Sequence, residues 1–195
     1  MSRNFTEWYQ FLSLTLLSGG LDSTVLAAWS KPKLGLFVDY GQPARIPERL
    51  AASGVAKTLG FPLEVITVSG IALGSMDDPT GTPGPRVVAA RNTILASLAT
   101  NRAAALGIGV VLIGATGGDR DAYPDCRKEF FDDLSTLSVS TTGVEIHAPL
   151  VEMSRAQVVE LGEEIGAPVE ISWSCYTPNA DGEPCGGCDS CEVRR

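Results

Sequence analysis

The segment from Leu17 to Thr24, which reads L-S-G-G-L-D-S-T, has the residue types of a phosphate-binding turn. Its two glycines allow the backbone to turn so sharply that successive N–H groups can converge on an anion. The apolar helix pattern that follows adds unpaired N–H groups and the positive end of a helix dipole, and Asp22 or Ser23 can cap that helix. The segment contains no Lys, which excludes a Walker loop. The alternative is an ordinary glycine turn at a strand-to-helix junction.

Four of the five cysteines lie close together near the end of the sequence, at Cys175, Cys185, Cys188 and Cys191. Two C-x-x-C steps allow the thiolates to converge on one ion, and the two glycines between Cys185 and Cys188 permit a tight turn. Four thiolates form a closed tetrahedral set, which favours structural zinc. The alternatives are a redox dithiol, free buried cysteines or an iron–sulfur cluster. The fifth cysteine, Cys126, is interpreted as a small buried hydrophobic residue.

The composition indicates one soluble globular domain with room for a small appendage. The chain has 195 residues, of which 44% are hydrophobic and 19% are charged, a balance that suits a protein with a proper core. The formal net charge of −8 argues against a general nucleic-acid-binding surface. Residues 11–17 are too few to span a bilayer and residues 87–112 are interrupted by Arg and Asn, so we expect no membrane span. The expected absence of a membrane span, together with cysteines suited to metal binding rather than disulfides, predicts a cytoplasmic location.

Apolar runs and helical patterns alternate along the chain, which predicts an α/β fold with a doubly wound parallel sheet. The predicted strands are Leu12–Leu17, Leu34–Val38, Leu63–Val68 and Val110–Gly114. The predicted helices are Ser23–Trp29, Ala44–Leu59, Ala89–Leu106, Cys126–Leu137 and Ser154–Ile165. Ligands of such sheets bind at the carboxyl ends of the strands, where the glycine turn and the segment Asp39–Gln42 both lie. We predict an α/β domain over residues 1–168 followed by a zinc-binding segment over residues 169–195.

A long connection from Ser69 to Arg86 contains four glycines and three prolines. Connections of this length inside a compact domain are often lids over a ligand site. The segment is therefore interpreted either as an active-site flap or as a surface loop without such a role.

The string S-G-G-L-D-S-T at Ser18–Thr24 resembles the pyrophosphate-binding loop of the PP-loop ATP pyrophosphatases. Together with the cysteines, it forms part of a resemblance to the 7-cyano-7-deazaguanine synthase family that covers most of the chain. The further motifs are V-D-Y-G-Q at 38–42, R-N at 91–92, Gly114, Asp119, Y-P-D-C-R at 123–127 with Phe130, W-S-C-Y at 173–176 and C-G-G-C-D-S-C at 185–191. The string Y-P-D-C-R and the cysteine spacing are more specific than the loop alone.

The resemblance implies an ATP-dependent carbon–nitrogen ligase. Its substrates would be 7-carboxy-7-deazaguanine and ammonia, and its product would be 7-cyano-7-deazaguanine, a precursor of queuosine. ATP would first adenylate the carboxylate, ammonia would displace AMP to give an amide, and a second ATP would activate the amide oxygen before elimination to the nitrile. The implied cofactors are ATP, Mg²⁺ and zinc, with small molecules as the partners, and the resemblance also allows a homodimer.

Residue roles follow from the resemblance. The residues implied for the nucleotide are Leu17, Ser18, Gly19, Gly20, Leu21, Asp22, Ser23, Thr24, Val25, Leu26, Ala27, Asp39 and Gln42. Those implied for the substrate are Arg91, Asn92, Asp119, Tyr123, Asp125 and Arg127, and the implied catalytic residues are Ser18, Asp22, Ser23 and Arg91. Arg can pair with a carboxylate or a phosphate, and Asp can accept from the N–H groups of a guanine-type ring.

Simpler interpretations of several of these residues stay open. Asp125 and Arg127 can be cap and surface residues of the helix that follows them, and Arg91 can be an exposed helix charge. Trp173 and Tyr176 are interpreted as packing beside the metal site rather than stacking on a base.

Two positions depart from the family pattern. Prolines at 43 and 47 flank the expected start of a helix, and Ala90 stands where the family has glycine before Arg-Asn. Two alternatives therefore accompany the main prediction. One keeps the activation chemistry but uses another deazapurine, a nucleic-acid base or a protein group as acceptor, and the other is a zinc-stabilised binding module with an inactive ATP fold. The single histidine, His147, is interpreted as structural.

Overall fold

Five parallel strands form the central sheet of the computed structural model, which describes residues 12–74, 87–118 and 123–192. The spatial order of the strands is β3-β2-β1-β4-β5. All four pairings are parallel, with Leu14 opposite Leu34 on one side of β1 and opposite Val111 on the other. The strands are β1 Ser13–Leu16, β2 Leu34–Asp39, β3 Leu63–Thr67, β4 Val110–Leu112 and β5 Glu145–His147.

Helices cover both faces of the sheet, so the residues of its central strands are buried on both sides. On one face, α3 and α4 pack on strand residues such as Leu36 and Val111 through Ala99 and Phe131. On the other face lie α1, α2 and α5. The helices are α1 Leu21–Ser30, α2 Arg45–Leu59, α3 Arg91–Ala105, α4 Lys128–Thr142, α5 Arg155–Glu164 and the short α6 Asp189–Glu192. The predicted doubly wound parallel α/β fold is therefore confirmed.

Beyond small shifts of their ends, the predicted elements differ from the observed ones in three places, one of which is the short helix α6 that was not predicted. The helix predicted over Cys126–Leu137 begins at Lys128 instead, since Pro124–Cys126 forms a 3-10 turn and Arg127 is extended, with φ −89° and ψ 152°. It continues to Thr142, where Gly143 ends it in the left-handed conformation. The three-residue strand β5 was not among the predicted strands, because so short a segment gives little alternation to detect.

The topology creates a crevice beside β1. From β1 the chain proceeds outward to β2 and β3 and then returns to β4 on the other side of β1. At such a switch point the connections diverge, which leaves a crevice at the carboxyl ends of the two central strands. Gly114 follows β4 there, and a Cβ placed on it would lie only 3.1 Å from the backbone N of Ser23. This glycine thus permits the end of β4 to approach the start of α1.

The segment that carries the four clustered cysteines contacts this crevice. The backbone N–H of Trp173 donates to the carbonyl of Gly19 at 2.8 Å, which joins the segment to the glycine turn. The boundary at 168/169 between an α/β domain and this segment stays a prediction. Within the described ranges, none of the helices is long and apolar enough to cross a bilayer.

Candidate active site

The glycine turn connects β1 to α1 at the switch point. Gly20 precedes α1 with an extended backbone (φ −75°, ψ 169°), and no side chain caps this end of the helix. The predicted cap by Asp22 or Ser23 is therefore wrong, because α1 begins at Leu21 and places both residues inside its first turn. The Ser23 hydroxyl instead bonds to the Ser18 hydroxyl and the Gly20 carbonyl, at 3.1 Å each. The first N–H groups of an α-helix have no intrahelical acceptor, so the start of α1 can bind an anion.

Gly19 holds the turn against α2. Its φ is +81°, and a Cβ placed on it would lie 2.4 Å from the carbonyl O of Glu48 and 2.9 Å from the backbone N of Ala52. Both atoms belong to helix backbone, which cannot move aside cheaply. The glycine is thus required for its conformation and for its close approach.

Gly19→Ala is expected to lower the free energy of unfolding more than Gly60→Ala. Gly60 has a nearly equal φ of +80°, but a Cβ placed on it would have no neighbouring atom within 4 Å, so that variant loses only about 1–2 kcal/mol through backbone strain. Overpacking at Gly19 adds about 1–3 kcal/mol. Urea unfolding of the two variants measures the difference, and equal losses would contradict the described contact with α2.

The turn forms one wall of a cavity of about 270 Å³. The cavity also reaches β2, the start of α3, the residues after β4 and the segment 173–176, so elements distant in sequence meet there. The predicted site residues that line it are Leu17, Ser18, Gly20, Leu21, Asp22, Ser23, Gln42, Arg91, Asn92 and Tyr123. Members of both the nucleotide set and the substrate set predicted from the sequence therefore line one common cavity.

Other predicted nucleotide residues lie outside the lining of this cavity. Gly19 packs on α2, and Thr24, Val25, Leu26 and Ala27 are buried in the body of α1. The Asp39 carboxylate accepts from the backbone N–H of Gly41 at 3.1 Å. These residues shape the turn and the helix behind it.

The remaining predicted substrate residues do not line this cavity or lie outside the described residues. Asp125 is bound to the start of α3, where its carboxylate accepts from the N–H of Asn92 at 3.2 Å and its carbonyl accepts from the Asn92 side chain at 2.8 Å. It thus caps α3 rather than the following helix α4. Arg127 is exposed and lines no described cavity, and Asp119 lies outside the described residues, as does most of the long connection, at 75–86.

A second, smaller cavity of about 240 Å³ adjoins the first. Arg91 and Tyr123 line both cavities, and Asp125 lines the second. Ala90 also lines it, with a left-handed backbone at φ 55°. A positive φ at a residue with a Cβ is uncommon and is the conformation that glycine adopts most readily.

A polar network lies beside the cavity at the start of α2. Gln42 is only 3% exposed. Its side-chain amide donates to the Val38 carbonyl at 3.3 Å and to the Glu48 carboxylate at 3.0 Å, and its carbonyl oxygen accepts from the Tyr40 N–H at 3.0 Å. These bonds use the polar groups of Gln42 within the protein. Gln42 is thus a support for its neighbours in the cavity wall.

Charge in this network comes from Arg91 and Glu48. Burial acts to lower the pKa of Arg91, but nearby Tyr40, Cys126 and Asp125 outweigh it and leave that pKa raised, so the guanidinium stays cationic. Burial raises the pKa of Glu48 to about 6, although the Gln42 hydrogen bond and the Arg91 charge both act to lower it. Burial likewise raises the pKa of the Tyr40 hydroxyl, which Arg91 contacts. The cavity therefore holds the Arg91 cation together with a carboxyl group whose pKa is raised to about 6.

Sequence reasoning missed two charged residues of the cavity, Glu48 and Arg155. The Arg155 guanidinium lies 3.4 Å from the Asp22 carboxylate, at the mouth of the glycine turn. Glu48 lies six positions after the glutamine of V-D-Y-G-Q, in the first turn of the helix that follows this motif. Its closeness to the motif could have indicated a site residue. Arg155 is an ordinary first-turn residue of α5, capped by Ser154, and nothing local distinguishes it.

The four clustered cysteines converge as expected for ligands of one ion. The sulfur atoms of Cys175, Cys185, Cys188 and Cys191 all lie within 4.8 Å of one another. Burial raises the pKa of Cys175 to about 12, while backbone hydrogen bonding from Gly187 lowers that of Cys185 to about 6. Thiols this close cannot all ionise without a cation among them. The cluster can hold a metal ion.

Trp173 lies beside this cluster, as expected, and Trp173 and Tyr176 both line the cavity. The indole N–H of Trp173 donates to the carbonyl of Cys175 at 2.7 Å. The metal-binding segment and the cavity therefore share a wall.

Solved structures with the same fold match this chain at low sequence identity. The U34-tRNA thiolase NcsA from Methanococcus maripaludis, with its [4Fe-4S] cluster, has a TM-score of 0.56 at 16% identity over 86% of this chain and 61% of that one. NMN synthetase from Francisella tularensis has a TM-score of 0.57 at 18% identity over 97% of this chain and 75% of that one. At these identities the likeness extends to the fold alone.

Sequence relatives are much closer. Proteins named 7-cyano-7-deazaguanine synthase include one from Rhizorhabdus wittichii, 37% identical over 203 residues that cover 93% of this chain and 88% of the relative. Another, from Legionella pneumophila, is 36% identical over 94% of this chain and 90% of the relative. The profile of the family described as "Queuosine biosynthesis protein QueC" matches residues 12–195. The cavity at the switch point and the four converging cysteines are thus those of a chain that belongs to the QueC family.

Proposed function

We propose that this chain is an ATP-dependent ligase that converts 7-carboxy-7-deazaguanine and ammonia to 7-cyano-7-deazaguanine, with release of AMP and pyrophosphate. The observation that carries the proposal is the single cavity that unites the glycine turn with Arg91, Asn92 and Tyr123. Relatives at 36–37% identity carry the name of this activity. No observation favours a different acceptor or an inactive binding module.

The glycine turn is suited to the departing pyrophosphate. The start of α1, Ser18 and Ser23 line the cavity, and their N–H and hydroxyl groups can stabilise negative charge that develops on the phosphate oxygens. Arg91, held cationic in the floor of the cavity, can contact the adenylate phosphate or the substrate carboxylate in a bidentate manner. Asn92 and Tyr123 are proposed to face the deazaguanine.

Asp22 is the residue that we propose to hold Mg²⁺. Asp22 lines the same cavity as the turn, and a carboxylate in a polyphosphate site repels its ligand unless a cation lies between them. Hard oxygen donors are what Mg²⁺ prefers, and it usually joins one or two carboxylates to substrate phosphates. When bound, the ion would neutralise charge on the leaving pyrophosphate.

The cysteine cluster is proposed to hold structural zinc. A tetrahedral ion with Zn–S bonds near 2.3 Å places its sulfur ligands about 3.8 Å apart, which fits a cluster in which all sulfurs lie within 4.8 Å. In a four-iron cluster each cysteine binds a different iron atom, so wider spacing is expected. Four thiolates leave no position for a reacting ligand, and the role is to stabilise residues 169–195.

The proposed reaction is tested by mass spectrometry of the products. The protein is incubated with ATP, Mg²⁺, ammonium and 7-carboxy-7-deazaguanine, and two AMP are expected for each nitrile formed because the acid and the amide are each activated once. ADP as the nucleotide product would contradict pyrophosphate-forming chemistry. AMP formation only with another deazapurine, a nucleic acid or a protein would move the assignment to a different acceptor. A cytoplasmic location and a homodimer stay predictions.

A further inference from the structure

We propose that Glu48 is the proton acceptor of this reaction, which takes a proton from ammonium in the amidation and from the amide nitrogen in nitrile formation. The inference rests on the proposed function and adds a catalytic residue to it. Three observations support it: the position of Glu48, its hydrogen bonding, and the other groups in the cavity.

Glu48 lies between the two halves of the site. It belongs to the first turn of α2, and its backbone carbonyl is the atom against which Gly19 packs. Glu48 lines the cavity, and the charge of Arg91 acts on its carboxyl group. If the phosphates occupy the turn and the substrate contacts Arg91, the carboxyl carbon of the substrate, which becomes attached to AMP, lies next to Glu48.

The Glu48 carboxylate is held in place. The donor that orients it, the Gln42 amide at 3.0 Å, is itself fixed by the Val38 carbonyl and the Tyr40 N–H. One hydrogen bond leaves most of the acceptor capacity of a carboxylate unused. An ammonium ion has four N–H donors and a positive charge, so it is a fitting ligand for the remaining lone pairs.

Other candidates for the base are less suitable. Among the described residues that line the cavity, Asp22 and Glu48 carry the carboxylates, and none is a histidine. Asp22 is paired with Arg155 and lies at the phosphate turn. Of the groups that face Glu48, Arg91 is a cation, Asp39 carries a carboxylate of its own and Tyr40 has a raised pKa.

The acidity of Glu48 also matches the task. With a pKa of about 6, the group is mostly ionised at neutral pH yet accepts a proton more readily than an exposed carboxylate does.

Each N–H proton that is lost in the two rounds has a defined acceptor. A first proton passes from ammonium to the carboxylate, the freed lone pair forms the C–N bond to the acyl carbon, and the C–O bond breaks with its electrons on AMP, whose phosphate takes the second N–H proton as the amide forms. Glu48 then returns its proton to solvent. In the second round one N–H proton of the amide leaves with pyrophosphate as the amide oxygen is adenylated, the remaining N–H proton passes to Glu48, the N–H electron pair completes the C≡N bond, and AMP leaves again.

Glu48→Gln tests this by comparing two nucleophiles. Glutamine keeps an oxygen that accepts from Gln42 but cannot take a proton. With ammonium, nitrile formation is expected to fall by about 10²–10⁴-fold, the range for loss of a general base. Hydroxylamine, which is uncharged at neutral pH and needs no initial deprotonation, is expected to capture the adenylate as the hydroxamate at close to the parent rate. Glu160→Gln, an exposed change on α5, is the matched control and should alter neither rate.

The pH dependence gives an independent readout. The carboxylate must be ionised to accept a proton, so the parent rate with ammonium should fall as pH drops through about 6, and Glu48→Gln should lose this acid limb. Glu48→Asp keeps a carboxylate and should retain the limb at a reduced rate. Because burial raises the folded-state pKa, ionised Glu48 costs stability as pH rises above its unfolded value, so Glu48→Gln should melt no lower than the parent at pH 8.

Each other outcome overturns the inference. Equal losses with ammonium and hydroxylamine would make Glu48 a positioning residue, and unchanged rates with both would leave it no role. An acid limb that persists in Glu48→Gln would assign the titration to another group. A parent protein that forms no nitrile at all would instead refute the proposed function, before any variant is compared.

Discussion

Asp22→Asn is expected to reduce AMP formation by about 10²–10³-fold, the loss typical of removing one group that stabilises transition-state charge. The Asp22 side chain is 19% exposed and lines the cavity at the glycine turn. Its partner Arg155 lies 3.4 Å away and is 49% exposed, so this ion pair contributes little by itself. The function of the carboxylate must then lie in what the cavity binds.

Binding measurements separate a Mg²⁺-binding role from a structural one. If Asp22 holds the metal, Asp22→Asn should bind ATP without Mg²⁺ as tightly as the parent or more tightly, because a negative charge near the phosphates has been removed. The gain in ATP affinity on adding Mg²⁺ should be lost. Asp132→Asn, on the exposed side of α4, serves as the surface control. AMP formation at the parent rate by Asp22→Asn would contradict the assignment.

The elements that place the site could be predicted because their signals are local. The alternation of apolar runs with helical patterns located β1 to β4 and α1 to α5 within a few residues. The glycine turn was predicted at the carboxyl end of β1, since strand, glycines and helix follow one another directly in sequence. The cysteine spacing indicated convergence for the same reason, because Cys185, Cys188 and Cys191 lie within a single turn-rich segment.

The partners of individual side chains could not be predicted, because they come from distant parts of the chain. Asp125 caps α3 through Asn92, 33 positions away, and Arg155 pairs with Asp22 across 133 positions. The sequence around each of these residues also suits an ordinary surface charge or cap. Glu48 enters the cavity only because Gly19 brings the turn against α2. The packing of helices on the sheet decides such contacts, and a single sequence does not specify it locally.

Loss of one cysteine ligand is expected to release the whole segment that follows residue 171. Among its described side chains, only Ser172, Cys175 and Cys191 are buried, so it has little apolar core to hold it in place. A structural zinc contributes on the order of 10–16 kcal/mol of apparent binding free energy in small domains. Cys188→Ser should therefore lose the metal and become sensitive to protease within residues 172–192, while the α/β sheet stays folded.

Loss of the metal should also weaken ATP binding, because Trp173, Ser174 and Tyr176 line the cavity and the Trp173 N–H donates to the carbonyl of Gly19. We expect Cys188→Ser, or the parent treated with a zinc chelator, to bind ATP at least about tenfold more weakly, a loss of about 1.4 kcal/mol.

Metal analysis, limited proteolysis and ATP titration measure the loss of metal, the protease sensitivity and the weaker ATP binding. Cys126→Ala is the control for metal content, because the Cys126 thiol lies outside the cluster. Full zinc content and protease resistance in Cys188→Ser would contradict the ligand assignment, and the visible absorption of an iron–sulfur cluster in the parent would replace zinc with iron. Intact ATP affinity after metal loss would show that the phosphate turn keeps its shape without the Trp173 contact.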